Sequence, residues 1–321
     1  VSNLDVRPVP TLCGGRRAVP GSPVHDVLPG RAVLLGESTE VRRLLPTLGR
    51  RMVGAWCFVD HYGPDEIAAE PGMQVPPHPH IGLQTVSWLL DGEILHRDSV
   101  GSVQTVRPGE LGLMTAGRAI AHSEQSPDPH PALLHGAQLW VALPEPHRRT
   151  EPRFEHHAAL PVVTAPGLRA TVLMGELDGA ASPGTAFSPL VGAELLLAAG
   201  AAAALPLERD FEYAVLTLSG TPEVDGVRLD PGALLYLGCN RDELRVRGDS
   251  DCRLLLLGGE PFEEEIVMWW NFVARTGDEI AQAREDWMSG SHFGEVTGYD
   301  GAPLPAPALP PVPLKPRGRA R

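Results

Sequence analysis

The chain has 321 residues and a formal net charge of −13. That length accommodates one large domain or two of ordinary size, with a full core and no disulfide staples, and the acidity argues against a general nucleic-acid binder or a protein of anionic membrane surfaces. Four cysteines, Cys13, Cys57, Cys239 and Cys252, lie scattered with no Cys-x-x-Cys spacing, which disfavours a thiolate zinc site and suits a reducing cytosol. Val1–Val9 shows no basic region followed by an apolar run, and the most apolar stretch, residues 191–207, is broken by Glu194, Gly200 and Pro206. A soluble cytoplasmic protein is expected.

Short apolar runs alternate with glycine and proline turn signals, the pattern of an all-β sandwich or barrel. In chain order the first half predicts strands over 33–35, 84–90, 93–97, 103–106, 111–115, 120–124 and 137–143. Asp91-Gly92 between two of them signals a tight hairpin, and Arg107-Pro108-Gly109-Glu110 a second turn. The second half repeats the texture, with strands expected over 169–173, 194–197, 213–218, 224–229, 233–237, 243–246 and 253–257. Leu229-Asp230-Pro231-Gly232 echoes Val106-Arg107-Pro108-Gly109, which points to an internal duplication. A boundary falls between the halves, giving domains over 1–165 and 166–299. One helix is expected near the end: Thr276 and Glu279 fit a capping box, and Ile280, Ala283 and Trp287 then share one face. The Pro-rich residues 300–321, ending with Lys315, Arg317, Arg319 and Arg321, read as a flexible tail.

The chemistry concentrates between Gly72 and Glu124. His78-Pro79-His80 opens this stretch and His122-Ser123-Glu124 ends it. In a strand, side chains two apart project from one face, so two such strands in one small barrel can bring three imidazoles and a carboxylate to one point. Imidazole suits iron, copper, zinc or nickel, and the carboxylate tilts the set toward iron or manganese.

Pro77-His78-Pro79-His80-Ile81-Gly82, the turn Arg107–Glu110, Met114–Glu124 and His135-Gly136-Ala137-Gln138-Leu139-Trp140-Val141 together resemble the pirin family, within the cupin superfamily. The resemblance implies two cupin (jelly-roll) barrels with one iron (Fe2+ or Fe3+) in the first, held by His78, His80, His122 and Glu124. Many relatives carry glutamate where this chain has Gln84; loss of that charge is expected to make the centre more electropositive. The second barrel has no histidine between Leu195 and Leu257, so its expected role is to brace or close the first.

Other residues carry weaker signals. Asp60-His61-Tyr62 precedes Gly63-Pro64 and reads as a loop at the barrel mouth. Gln138 can face either the cavity or solvent, while Trp140 reads as packing. His96 reads as a packed histidine rather than a fifth ligand, and Cys57 as unreactive. Trp269 and Trp270 read as packing of the C-terminal segment across both barrels.

Two functions of different class follow. The resemblance implies a non-haem iron dioxygenase of the quercetin 2,3-dioxygenase type acting on a flavonol-like small molecule. Glu124 would serve there as both ligand and base. The alternative is a redox-sensing iron protein that binds a metabolic enzyme or transcription factor. A monomer is expected in either case.

Overall fold

The computed structural model describes residues 8, 11–13, 23–35, 39–47 and 49–314. Among them, the first half forms a seven-stranded sheet facing a four-stranded sheet, and the second half an eight-stranded sheet facing another of four. These are the two barrels expected, joined to one C-terminal helix. No helix among the described residues is long and apolar enough to cross a membrane.

Strand order supports the duplication. The first small sheet pairs Gln74–His80, Ile120–Gln125, Ile94–Asp98 and Val103–Val106 in that order; the second pairs Ala202–Pro206, Glu243–Arg247, Glu223–Val224 and Val227–Arg228 in the same pattern. The strand expected over 224–229 is thus two short strands around Asp225-Gly226, both at positive φ. An Asp-Gly pair at positive φ is the turn that a two-residue hairpin demands. The second large sheet takes strands from the first half: Asp26–Leu28, early in the chain, pairs with Leu234–Gly238, and Val162–Ala165 pairs with Leu168–Leu177, while Arg153–His157 closes one edge of the first large sheet. Sequence halves and structural halves therefore interlock.

The strands Trp56–Glu66 and Gln74–His80 escaped the alternation test because both of their faces are largely covered. A strand covered on both sides loses its polar stripe. Proline at Pro76, Pro77 and Pro79 is tolerated because Gln74–His80 is an edge strand, where a missing N–H breaks no ladder.

The two large sheets pack face to face through one apolar core that includes Trp56, Trp88, Leu111 and Leu113 from the first half and Leu190, Leu216, Leu255 and Leu257 from the second. Trp56 is its anchor. The indole N–H reaches the carbonyls of Val191 and Gly258, each at 3.1 Å. Gly192 makes room for the ring: a Cβ there would stand 2.8 Å from it. Nearby, Glu212 is fully buried and accepts hydrogen bonds from the Gly54 amide and the Tyr236 hydroxyl, both at 2.7 Å.

The C-terminal segment returns to the first barrel. Ile266–Trp269 and Phe272–Ala274 form a hairpin, and the Val273 amide bonds to Ile81 O at 3.1 Å. Trp269 and Trp270 lie buried with Ala121, Phe272 and Ile280, so they pack chiefly against the first barrel and the helix. The helix spans Gly277–Met288; Thr276 caps it by accepting from the Glu279 amide, while the Glu279 carboxylate accepts from the Arg275 amide. The Pro-rich segment read as a flexible tail instead packs along this surface as far as it is described. Leu304 N donates to Pro77 O, Trp287 Nε1 donates to Leu304 O, and Ala306 is buried. Leu304, Ala306 and Leu314 supply apolar anchors that composition alone obscured. Residues 315–321, with the four basic side chains, lie outside the described residues.

Trp56→Ala should lower stability by about 3–5 kcal/mol, the usual cost of an emptied aromatic site, measured as a shift in urea midpoint. Trp56→Phe, which keeps part of the ring but loses the two hydrogen bonds and the indole edge beside Gly192, should cost less than Trp56→Ala.

Candidate metal centre

His78 and His80 leave one face of the edge strand, and His122 leaves the strand beside it. Antiparallel register places His122 opposite His78 and Ile120 opposite His80. The alternation of a strand then does the rest. The ring nitrogens of His78, His80 and His122 offer donor atoms within 4.8 Å of one another, and all three side chains are fully buried.

Each ring is oriented from behind. His78 Nδ1 donates to Pro76 O at 2.8 Å, and His80 Nδ1 donates to Asn271 O at 3.0 Å. A carbonyl only accepts, so both rings carry the proton on Nδ1 and keep the Nε2 lone pair. His122 Nδ1 meets His96 Nδ1 at 3.3 Å, and His122 Nε2 is buried with no hydrogen-bond partner. A buried lone pair without a donor is costly, and an electrophilic ion would answer it. Burial pushes the His78 pKa from 6.5 down to about 4, against the opposing pull of its bond to Pro76 and of Glu124. Burial lowers His80 and His122 well below the usual range too, with the neighbouring imidazoles adding to the effect. Neutral rings are the form that binds a metal.

Glu124 follows a register shift after His122 and lies opposite His96. Its carboxylate is outside the 4.8 Å set of the three rings but close enough for its charge to act on His78. Ser87 stands beside it: the hydroxyl lies 3.3 Å from Glu124 Oε1 and 3.0 Å from Gln138 Oε1. Gln138 therefore faces the interior. Trp140 packs as expected, stacked on Phe58 at 4.1 Å and edge-on to His80 at 5.3 Å.

Two expectations fail here. Gln84 does not face the centre. It lies three residues from the inward Ser87 and so takes the opposite strand face, where its amide donates to Thr115 Oγ1 and Thr185 O. Its neutrality cannot set the charge beside the imidazoles; it ties the first barrel to a loop of the second half. Asp60-His61-Tyr62 is no mouth loop either, but mid-strand in Trp56–Glu66. Asp60 is accommodated in the interior by a two-point ion pair with Arg43, at 2.9 and 2.8 Å. On the outer face His61 Nε2 meets His135 Nε2 at 2.8 Å, and burial, then His135, lower the His61 pKa to about 4.

Sequence reasoning missed Ser87 and Asn271; His96 is the packed histidine expected, buried, stacked on Phe154 and paired with Asp98. His96-x-Asp98 on one arm of the Asp91-Gly92 hairpin was a readable signal: two polar residues on one face of a strand that pairs with the one carrying His122. In the second barrel, the strands equivalent to those of the histidines carry buried Leu205, Leu244 and Val246 inside an apolar cluster. Hydrocarbon fills that barrel.

The geometry agrees with comparisons to known proteins. The pirin family model matches residues 38–141, and the model of the pirin C-terminal cupin domain matches 192–294. A Pseudomonas aeruginosa protein named as a candidate quercetin 2,3-dioxygenase is 48% identical over 282 residues, covering 87% of this chain and 89% of its own. A Caulobacter vibrioides pirin-like protein is 40% identical over 260 residues, covering 78% and 88%. The crystal structure of quercetin 2,3-dioxygenase from Acinetobacter baumannii superposes with a TM-score of 0.87 at 44% identity, over 90% of this chain and 96% of that one. With both halves matched and relatives aligned along most of its length, the chain belongs to the pirin family.

Proposed function

We propose that the first barrel holds a single iron ion through His78, His80, His122 and Glu124, and that the protein is a non-haem iron dioxygenase acting on a flavonol-like substrate. The observation that carries this reading is the convergence of three buried imidazoles whose donor atoms lie within 4.8 Å of one another, each ring held by a contact at Nδ1. Three imidazoles and a carboxylate suit iron among the first-row metals. The names of the similar Pseudomonas and Acinetobacter proteins support the choice of substrate class.

When bound, iron would supply a Lewis acid and a redox partner for molecular oxygen. The chain's own residues do the remainder. Glu124 accepts the proton of a substrate hydroxyl, and the buried carboxylate is placed for this by the Ser87 hydroxyl at its back. Gln138 stands behind Ser87 and limits where that hydroxyl can point. Phe58 and Trp140 form an apolar wall against His80, which keeps bulk water from reactive species.

Oxygen uptake with quercetin, measured beside metal content, tests the reading. His78→Ala should lose iron and turnover together, whereas Glu124→Gln should lose turnover more severely than iron. Fully iron-loaded wild-type protein that consumes no oxygen with any flavonol would sink the dioxygenase reading. A partner captured only in one oxidation state would then favour the regulator.

The pH dependence has a defined sign. In the unfolded chain these histidines take up protons below 6.5, whereas folded His78 and His61 resist protonation until about 4. The stability they contribute is complete above 6.5 and is lost as pH falls toward 4. Urea midpoints of metal-free protein should therefore drop across that window, and bound iron, which keeps the folded rings unprotonated, should raise the midpoints without shrinking the drop. A flat profile in metal-free protein would contradict the burial of neutral imidazoles.

A further inference from the structure

The three rings do not have equal support. His78 and His80 end on neutral backbone carbonyls. His122 ends on another imidazole, which itself ends on a carboxylate. His96 Nδ1 lies 3.3 Å from His122 Nδ1, and His96 Nε2 lies 3.1 Å from Asp98 Oδ2. The other Asp98 oxygen accepts the amides of Val100 and Ser102, at 3.0 and 2.9 Å. His96 and Asp98 are almost fully buried, and Phe154 stacks flat on the His96 ring at 4.0 Å.

A ligating His122 fixes the protons in this chain. Its lone pair stays on Nε2, so its Nδ1 donates to His96 Nδ1, and the His96 proton sits on Nε2, donated to the Asp98 carboxylate. The His122 Nε2 lone pair is left facing His78 and His80, the nitrogen without a hydrogen-bond partner. Register explains how the group assembles: His122 lies opposite Asp98, and Glu124 opposite His96, on neighbouring strands. Asp98 stays anionic in spite of its burial, because hydrogen bonds from His96 and Ser102 hold its carboxyl below the ordinary range.

We infer that His96 is a positioning residue of the centre, locking His122 as the Nδ1–H tautomer and coupling it to the buried Asp98 charge, so that His122 is the most electron-rich of the three donors. This rests on the metal reading above. A carboxylate behind a ligating imidazole raises its basicity; here a second imidazole carries that influence one ring further. More donation from His122 favours the higher oxidation state of a bound ion. Asp98 and His96 touch neither substrate nor ion and act through His122.

Two measurements test this. Histidine-selective nitrogen NMR of the metal-free protein reads the tautomers: wild type should show His122 as Nδ1–H and His96 as Nε2–H. His96→Phe keeps the stacking on Phe154 and should free the His122 tautomer. His96→Gln, with an oxygen for His122 and an amide for Asp98, should retain it. In the iron-loaded protein, His96→Phe and Asp98→Asn should bind the ion about 10–100-fold more weakly, the usual effect of removing such outer partners, and raise the midpoint potential, with His96→Gln closer to wild type. A folded His96→Phe or Asp98→Asn protein with unchanged His122 tautomer, iron affinity and potential would overturn the inference. If wild-type protein takes up no transition metal, the reading of the centre falls, while the spectra still decide whether His96 sets the tautomer of His122.

Discussion

Everything at the candidate centre depends on one geometric constraint: neighbouring antiparallel strands turn alternate side chains to the same side. That constraint alone brings His78 opposite His122 inside the barrel. Three imidazoles packed together without water could not remain charged. Burial therefore selects the neutral form, and the Nδ1 hydrogen bonds select which nitrogen keeps its lone pair. Fold, protonation and donor direction are successive consequences of a two-residue repeat.

The repeated architecture makes the contrast between the halves instructive. Both barrels use the same strand order, yet the second carries Leu205, Leu244 and Val246 where the first carries its histidine-bearing strands. An apolar filling needs no hydrogen bonds, so that barrel can be dense and inert. The first retains buried polar groups and must satisfy them. It does so with Pro76 O, Asn271 O, Ser87 and the His96–Asp98 pair. The second barrel then serves as a wall, joined through Trp56 and Glu212.

Much of this was legible in the sequence. The two histidine-containing triplets, the Pro-Gly turns and the capped helix each carry local chemistry, and local chemistry survives in one dimension. What was not legible depends on parity or on distance. Gln84 looked like a neighbour of the centre by its spacing from His80, but strand parity sends it outward to Thr185. Asp60 looked like a loop residue because its neutralising partner, Arg43, sits on another strand. The tail looked free because its contacts, such as Leu304 with Pro77, span most of the chain. Strands covered on both faces gave no alternating pattern to detect.

The hydrogen bond from His80 to Asn271 joins residues 191 positions apart. During synthesis the first barrel's histidines leave the ribosome long before their last orienting partner exists. His80 can swing between tautomers until the hairpin at Ile266–Ala274 docks. The centre is thus completed by a hairpin that emerges late in synthesis, and a chain truncated before that hairpin would carry its imidazoles without the geometry that makes them useful.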